Sequence, residues 1–167
     1  MAVATHASLW RKIIMVVLVA WLAASLVLDL IVMPSLYSSG MMDSAGFVIA
    51  GDMIFSAFNR VELLAGSAVL TGCMIWSAIS NAQPLQKQSF LLAIAAVLLV
   101  IPLIYTYSLT PNMSALGVQL NLFDPATVPD QMDQLHKLYW GLELCKLAAV
   151  GLLLSRLGKQ PQPSLVR

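Results

Sequence analysis

Apolar residues in this chain fall into four long runs separated by short polar stretches. The runs cover about 13–33, 59–80, 90–109 and 135–157. Each has about 20 residues, enough at ~1.5 Å rise per residue to cross a ~30 Å hydrocarbon core. A backbone in lipid must satisfy its own hydrogen bonds, and helices do so. The pattern predicts an all-α integral membrane protein, a four-transmembrane-helix bundle. Arg11 and Lys12 precede the first run as they would in a signal peptide. That run is too long for a secretory core and lacks a small-x-small cleavage site, so it reads as a retained anchor.

Two outer loops, 37–58 and 110–134, join the first run to the second and the third to the fourth. Ser44–Phe58 either extends the second helix or lies at the interface; Gly46 and Gly51 would permit a bend. In the second loop, Pro129, Asp130 and Asp133 suit the first turn of the fourth helix, where the missing N–H and the negative charges are favourable. The polar turn Asn81–Gln88 makes the second and third helices antiparallel neighbours. Segment 159–167, with two prolines, reads as a disordered tail, and 1–12 as a short leading segment.

Charge distribution then orients the chain. Arg11, Lys12, Lys87, Arg156, Lys159 and Arg167 all fall at one end, whereas the two outer loops up to Gln134 carry Asp43, Asp52, Asp124, Asp130 and Asp133 and no Lys or Arg. The positive-inside rule places both termini in the cytoplasm. The expected location is a bacterial inner, or thylakoid-type, membrane.

Composition agrees: 59% of residues are hydrophobic and 10% charged, against roughly 25% charged in soluble domains. A net charge of +1 gives no footprint for nucleic acid. Cys73 and Cys145 lie within apolar runs, which argues against a disulfide framework, and no zinc spacing occurs.

Against this background a few polar residues stand out. Asp29, Asn59, Arg60, Glu62, His136, Tyr139, Glu143 and Lys146 lie in or beside the apolar runs. A charge in hydrocarbon costs at least ~2.5–3.5 kcal/mol, so it is paired or functional. Their spacing is helical. His136, Tyr139, Glu143, Lys146 and Val150 share one face, as do Asp52, Phe55, Asn59, Glu62, Gly66, Val69 and Cys73. Ser25, Asp29 and Val32 give a shorter stripe. Lys146 lies deepest. Asp29, Glu62 and Glu143 set against Arg60 and Lys146 form a nearly balanced set, as a buried network requires. The third helix has no charge and reads as a packed wall facing lipid, with Tyr105 and Tyr107, like Tyr37 and Trp140, in an interfacial aromatic belt. Gly66 and Gly72 read as close helix contacts.

Such a network either locks helix packing or holds a ligand. The sequence carries no nucleophile motif, phosphate loop or dinucleotide fingerprint, which favours a non-enzymatic protein that binds a small ligand or joins a larger membrane complex or homo-oligomer. The alternative is a metal-ion or small-solute transport or resistance component, with His136, Glu62 and Glu143 as ligands and methionines such as Met33 and Met53 assisting.

Pro34 closing the first run, Ala45-Gly46, Asn59-Arg60-Val61-Glu62, Thr110-Pro111-Asn112-Met113 and Leu135-His136-x-x-Tyr139 together resemble the small four-span family that includes transmembrane protein 205, a bacterial domain of unknown function. The likeness spans roughly Ile13 to Leu157. It implies a four-helix membrane domain and an association with heavy-metal or drug resistance. It also implies a distant similarity to copper-resistance and haem-binding four-helix membrane proteins. In those terms a haem-binding redox protein is a second alternative, with His136 paired to Met33 or Met53, since His6 lies at the opposite end.

Overall fold

The computed structural model describes residues 2–40, 46–79, 85–123 and 130–159. Met41, Met42, Asp43, Ala45, Asp124, Pro129, the first half of the Asn81–Gln88 turn and the tail from 160 onward lie outside them. The described residues are almost entirely helical: α1 Ala2–Val27, α2 Met33–Ser38, α3 Phe47–Ile79, α4 Leu85–Ile104, α5 Thr110–Phe123 and α6 Asp130–Gly158. One-turn π-helices, Leu28–Val32 and Tyr105–Leu109, join α1 to α2 and α4 to α5 into continuous rods. Among the described residues, four helices are long and apolar enough to cross a membrane: His6–Ser38, Ile49–Ile79, Gln88–Gly117 and Asp130–Gly158.

The rods are longer than the hydropathy pattern predicts. The first runs past Met33-Pro34 to Ser38. A proline inside a helix lacks a donor and clashes with the carbonyl four residues back. Here the preceding residue, Met33, donates its N–H to Leu28 O, five residues back, and this wider turn makes room for the ring. The arrangement recurs before Pro111, where the Thr110 N–H donates to Tyr105 O. The two π-turns and their prolines are each 77 residues apart in sequence (28 to 105, 34 to 111).

The outer loops are correspondingly shorter. Residues 47–58 belong to α3, which runs through Gly51; the ambiguity over Ser44–Phe58 resolves as a helix extension from Phe47. Residues 110–123 form α5, and α6 starts at Asp130, ahead of the apolar run that begins near 135. Asp130 and Asp133 occupy its first turn.

Contacts fix the topology. Gly72 meets Ile14 while Glu62 meets Trp21 and Ser25, so α1 and α3 are antiparallel. Gly66 against Leu98 and Asn59 against Thr110 do the same for α3 and the α4–α5 rod. Arg156 over Phe90 and Glu143 beside Tyr105 do so for α4 and α6. α6 closes against α1, completing an up-down-up-down four-helix bundle.

Toward the Arg11 end, the interior is apolar: Ile14, Leu18, Val69, Cys73, Leu98, Val150 and Leu153 form one cluster. The outward faces are apolar too, with Val16, Leu30, Leu64 and Leu144 all more than half exposed. The glycine contacts are real points of approach. A Cβ on Gly66 would stand 3.1 Å from Leu98 O and 3.2 Å from Leu99 Cα.

Candidate functional site

The polar side chains lie on the inside of the bundle, above the apolar cluster. All four rods contribute. Trp21, Ser25 and Asp29 come from the first rod, Asn59 and Glu62 from α3, Tyr105 from the second π-turn, and Glu143 and Lys146 from α6. Each is buried because the 3–4 spacing that fills the core lower down continues into these positions.

Glu62 Oε1 is the hub. It accepts from Trp21 Nε1 at 2.9 Å and from Ser25 Oγ at 3.4 Å, and it pairs with Lys146 Nζ. Lys146 Nζ also reaches Glu143 Oε2 at 2.7 Å. Tyr105 donates its hydroxyl to the same Glu143 oxygen at 3.2 Å. The lysine lies between ring faces, 5.6 Å from the Tyr105 centroid and 5.9 Å from that of Phe58. Glu62, Glu143 and Lys146 are each 1% exposed.

Asp29 completes the network from the first π-turn. Its carboxyl group stands beside that of Glu143 and in the field of Lys146 and Glu62. Asp29 Oδ2 and Glu143 Oε1 are both buried and have no donor from another side chain or backbone group.

Asp29 also closes the inner end of a cavity of about 200 Å³. Met33, Phe55, Met113, Met132, Tyr139 and Trp140 supply walls, and Asp52 and His136 stand nearer the opening. The aromatic rings meet at steep angles. Phe55 and Tyr139 are 5.7 Å apart at 79°, and Tyr139 and Trp140 are 6.5 Å apart at 85°. Among the described residues, no Lys or Arg lines the space.

Three expectations need correcting. Arg60 is exposed; two residues before Glu62 on a helix, it points about 200° away from it. The buried set therefore holds three carboxyl groups against Lys146 and is not charge-balanced. His136 is exposed as well, with Nδ1 2.9 Å from Met132 O; it belongs to the cavity rim, not the network. Tyr105, read as part of an interfacial belt, is fully buried at the centre of the site. Tyr37, Tyr107 and Trp140 are exposed, at 75%, 75% and 50%. Asn59 is buried but bonds away from the carboxyl groups, donating to Thr110 Oγ1 at 2.8 Å.

Trp21 and Ser25 are the partners that sequence reasoning passed over, although Ser25 lay on the Asp29 stripe. Trp21, four residues earlier, extends that stripe by one turn.

Among the described residues, no three His, Cys, Asp or Glu side chains are grouped as a metal site requires. Met53 is 67% exposed and does not line the cavity. The residues do not fit a haem: the cavity is smaller than the ~300–1,000 Å³ of sites for drug-sized ligands, and its histidine lies on the rim. What the arrangement offers is a small aromatic and thioether-walled space above a buried acid. No family model, curated protein or solved structure matches this chain.

Proposed function

We propose that this chain is a four-span integral membrane protein that binds a small ligand in the half of the bundle facing away from the cytoplasm, without catalysing a reaction on it. The single observation that carries the reading is the cavity whose inner end is the 6% exposed Asp29. Its carboxyl group is already tied into the Glu143–Lys146–Glu62 network. Structural locking explains the ion pairs. It does not explain why one member of the network opens onto a cavity with aromatic walls.

Bilayer insertion is supported by the four long apolar helices and by outward faces rich in Leu, Val and Ile. The orientation, with both termini cytoplasmic, rests on the Lys and Arg bias. Kinship with the family that includes transmembrane protein 205 fits this reading. The ion-transport alternative has less behind it, because Glu62 and Glu143, the carboxylates it needs as ligands, are engaged by Lys146.

Mass spectrometry of the protein purified from its own membrane tests the reading. A small molecule should co-purify with the wild type and be lost from Ser114→Trp, which fills the cavity from its wall. Recovery of nothing from the wild type, or of the same species from both, overturns it.

A further inference from the structure

We propose that the cavity selects a small quaternary-ammonium cation of the trimethylammonium class, held against Phe55, Tyr139 and Trp140 with the Asp29 carboxylate as counter-ion. The inference rests on the ligand-binding reading and adds the charge and class of the ligand.

Charge points to a cation. Asp29, Glu62 and Glu143 face one ammonium, Lys146. Pairing with Lys146 leaves negative charge unmatched in a buried site, where such a charge is expensive, and Asp29 Oδ2 has no hydrogen-bond partner. The cavity is the open space beside it, and a monocation there supplies the missing charge.

The walls agree. Phe55 and Trp140 each meet the Tyr139 ring at a steep angle, and all three residues line the space. Ring faces attract cations, and such cages suit quaternary ammonium groups. Met33, Met113 and Met132 add polarisable thioethers.

A quaternary ammonium fits the inner end better than a primary one. A primary ammonium brings three donors, each needing an acceptor. Beside Asp29 there are few: the Thr110 hydroxyl already accepts from Asn59, and Asp52 and Ser114, which also line the space, lie one to two helical turns farther out. A quaternary ammonium brings no donor at all.

Binding should also compete with protons. The titratable groups around Asp29 are Glu143, Lys146 and Tyr139 on α6, Glu62 and Asp52 on α3, Tyr105 on the second π-turn and His136 at the rim. A proton taken up by the acid cluster would supply the same neutralising charge, so cation affinity should fall as pH is lowered.

The test is a calorimetric titration of the full chain in phosphatidylglycerol nanodiscs. It compares choline with 3,3-dimethylbutan-1-ol, its neutral isostere. Choline should bind at least about tenfold more tightly, the scale of a desolvated cation–π contact. Asp29→Asn should remove that preference while leaving the isostere's affinity in place. Trp140→Leu, at a half-exposed position of the cavity wall, should lower choline affinity more than that of the isostere. Repeating the titration in phosphatidylcholine nanodiscs identifies the source of the cation. Lost choline binding there means that a lipid headgroup occupies the cavity, and retained binding means a free cation; both support the proposal. Equal affinity for choline and the isostere overturns it while leaving a ligand-binding cavity. Binding of the isostere alone, or of neither, also overturns it; whether the cavity holds any ligand is then decided by the co-purification experiment.

Discussion

Glu62 and Lys146 stand 84 residues apart in the chain and form an ion pair with each side chain 1% exposed. Removing one partner of such a pair leaves a buried charge uncompensated, which costs about 3–5 kcal/mol. Lys146→Met should therefore lower stability by that amount in detergent unfolding. The double variant Glu62→Gln/Lys146→Met should recover part of the loss, giving a coupling energy in a double-mutant cycle. Lys137→Met removes an exposed pair with Asp133 and should leave the unfolding curve in place. A Lys146→Met protein as stable as wild type would mean that the pair does not hold the helices together.

Trp21 and Tyr105 should each contribute through a single polar atom. Trp21 Nε1 donates to Glu62, and Tyr105 donates its hydroxyl to Glu143. Hydrogen bonds to charged groups contribute about 1.5–3 kcal/mol. Trp21→Phe and Tyr105→Phe keep most of the ring volume and remove the donor. Both should be destabilised within that range in equilibrium unfolding, and the two losses should fall short of additive because both bonds feed one network. Wild-type stability in either variant would show that its donor is dispensable.

The helix count and the buried stripe were legible because hydrophobicity and helical period are local. Glu62, Glu143 and Lys146 could be placed on inward faces from 3–4 spacing alone. The same spacing excluded Arg60, two residues from Glu62, but counting charges by proximity in sequence brought it in. Tyr105 was misplaced for a different reason. Its run carries no charge to mark an inward face, and its orientation depends on the π-turn Tyr105–Leu109. A π-turn has no signature in hydropathy. The prolines at 34 and 111 hinted at irregularity, yet they suggested helix ends, because the wider turn that accommodates a proline is settled by packing. The pairing of Asp29 with Glu143 was likewise a matter of tertiary geometry.

Gly66 should tolerate no side chain. A Cβ there would meet the backbone of α4 at Leu98 and Leu99, and backbone cannot step aside as a flexible side chain can. Gly66→Ala should cost about 1–3 kcal/mol, typical of overpacking. Gly151 has nothing within 4 Å of the same position. Gly151→Ala should be neutral or slightly stabilising, since alanine is the better helix former by up to ~1 kcal/mol. Thermal unfolding of the two variants side by side checks this. Equal behaviour would mean that α3 and α4 do not approach as closely as the contact distances require.

The direction of insertion decides which compartment the cavity faces. Ser38 ends the first rod beside the cavity, and Lys159 follows α6 at the opposite end. In a Cys73→Ala/Cys145→Ala background, Ser38→Cys should react with a membrane-impermeant maleimide in intact spheroplasts. Lys159→Cys should react only after permeabilisation. The expectation follows from Arg11, Lys12, Lys87, Arg156 and Lys159 gathering at the Lys159 end, while the Ser38 end is dominated by aspartates, Lys137 and Arg60 being its cations. The reverse labelling pattern would turn the cavity toward the cytoplasm. A ligand would then have to reach Asp29 from inside the cell.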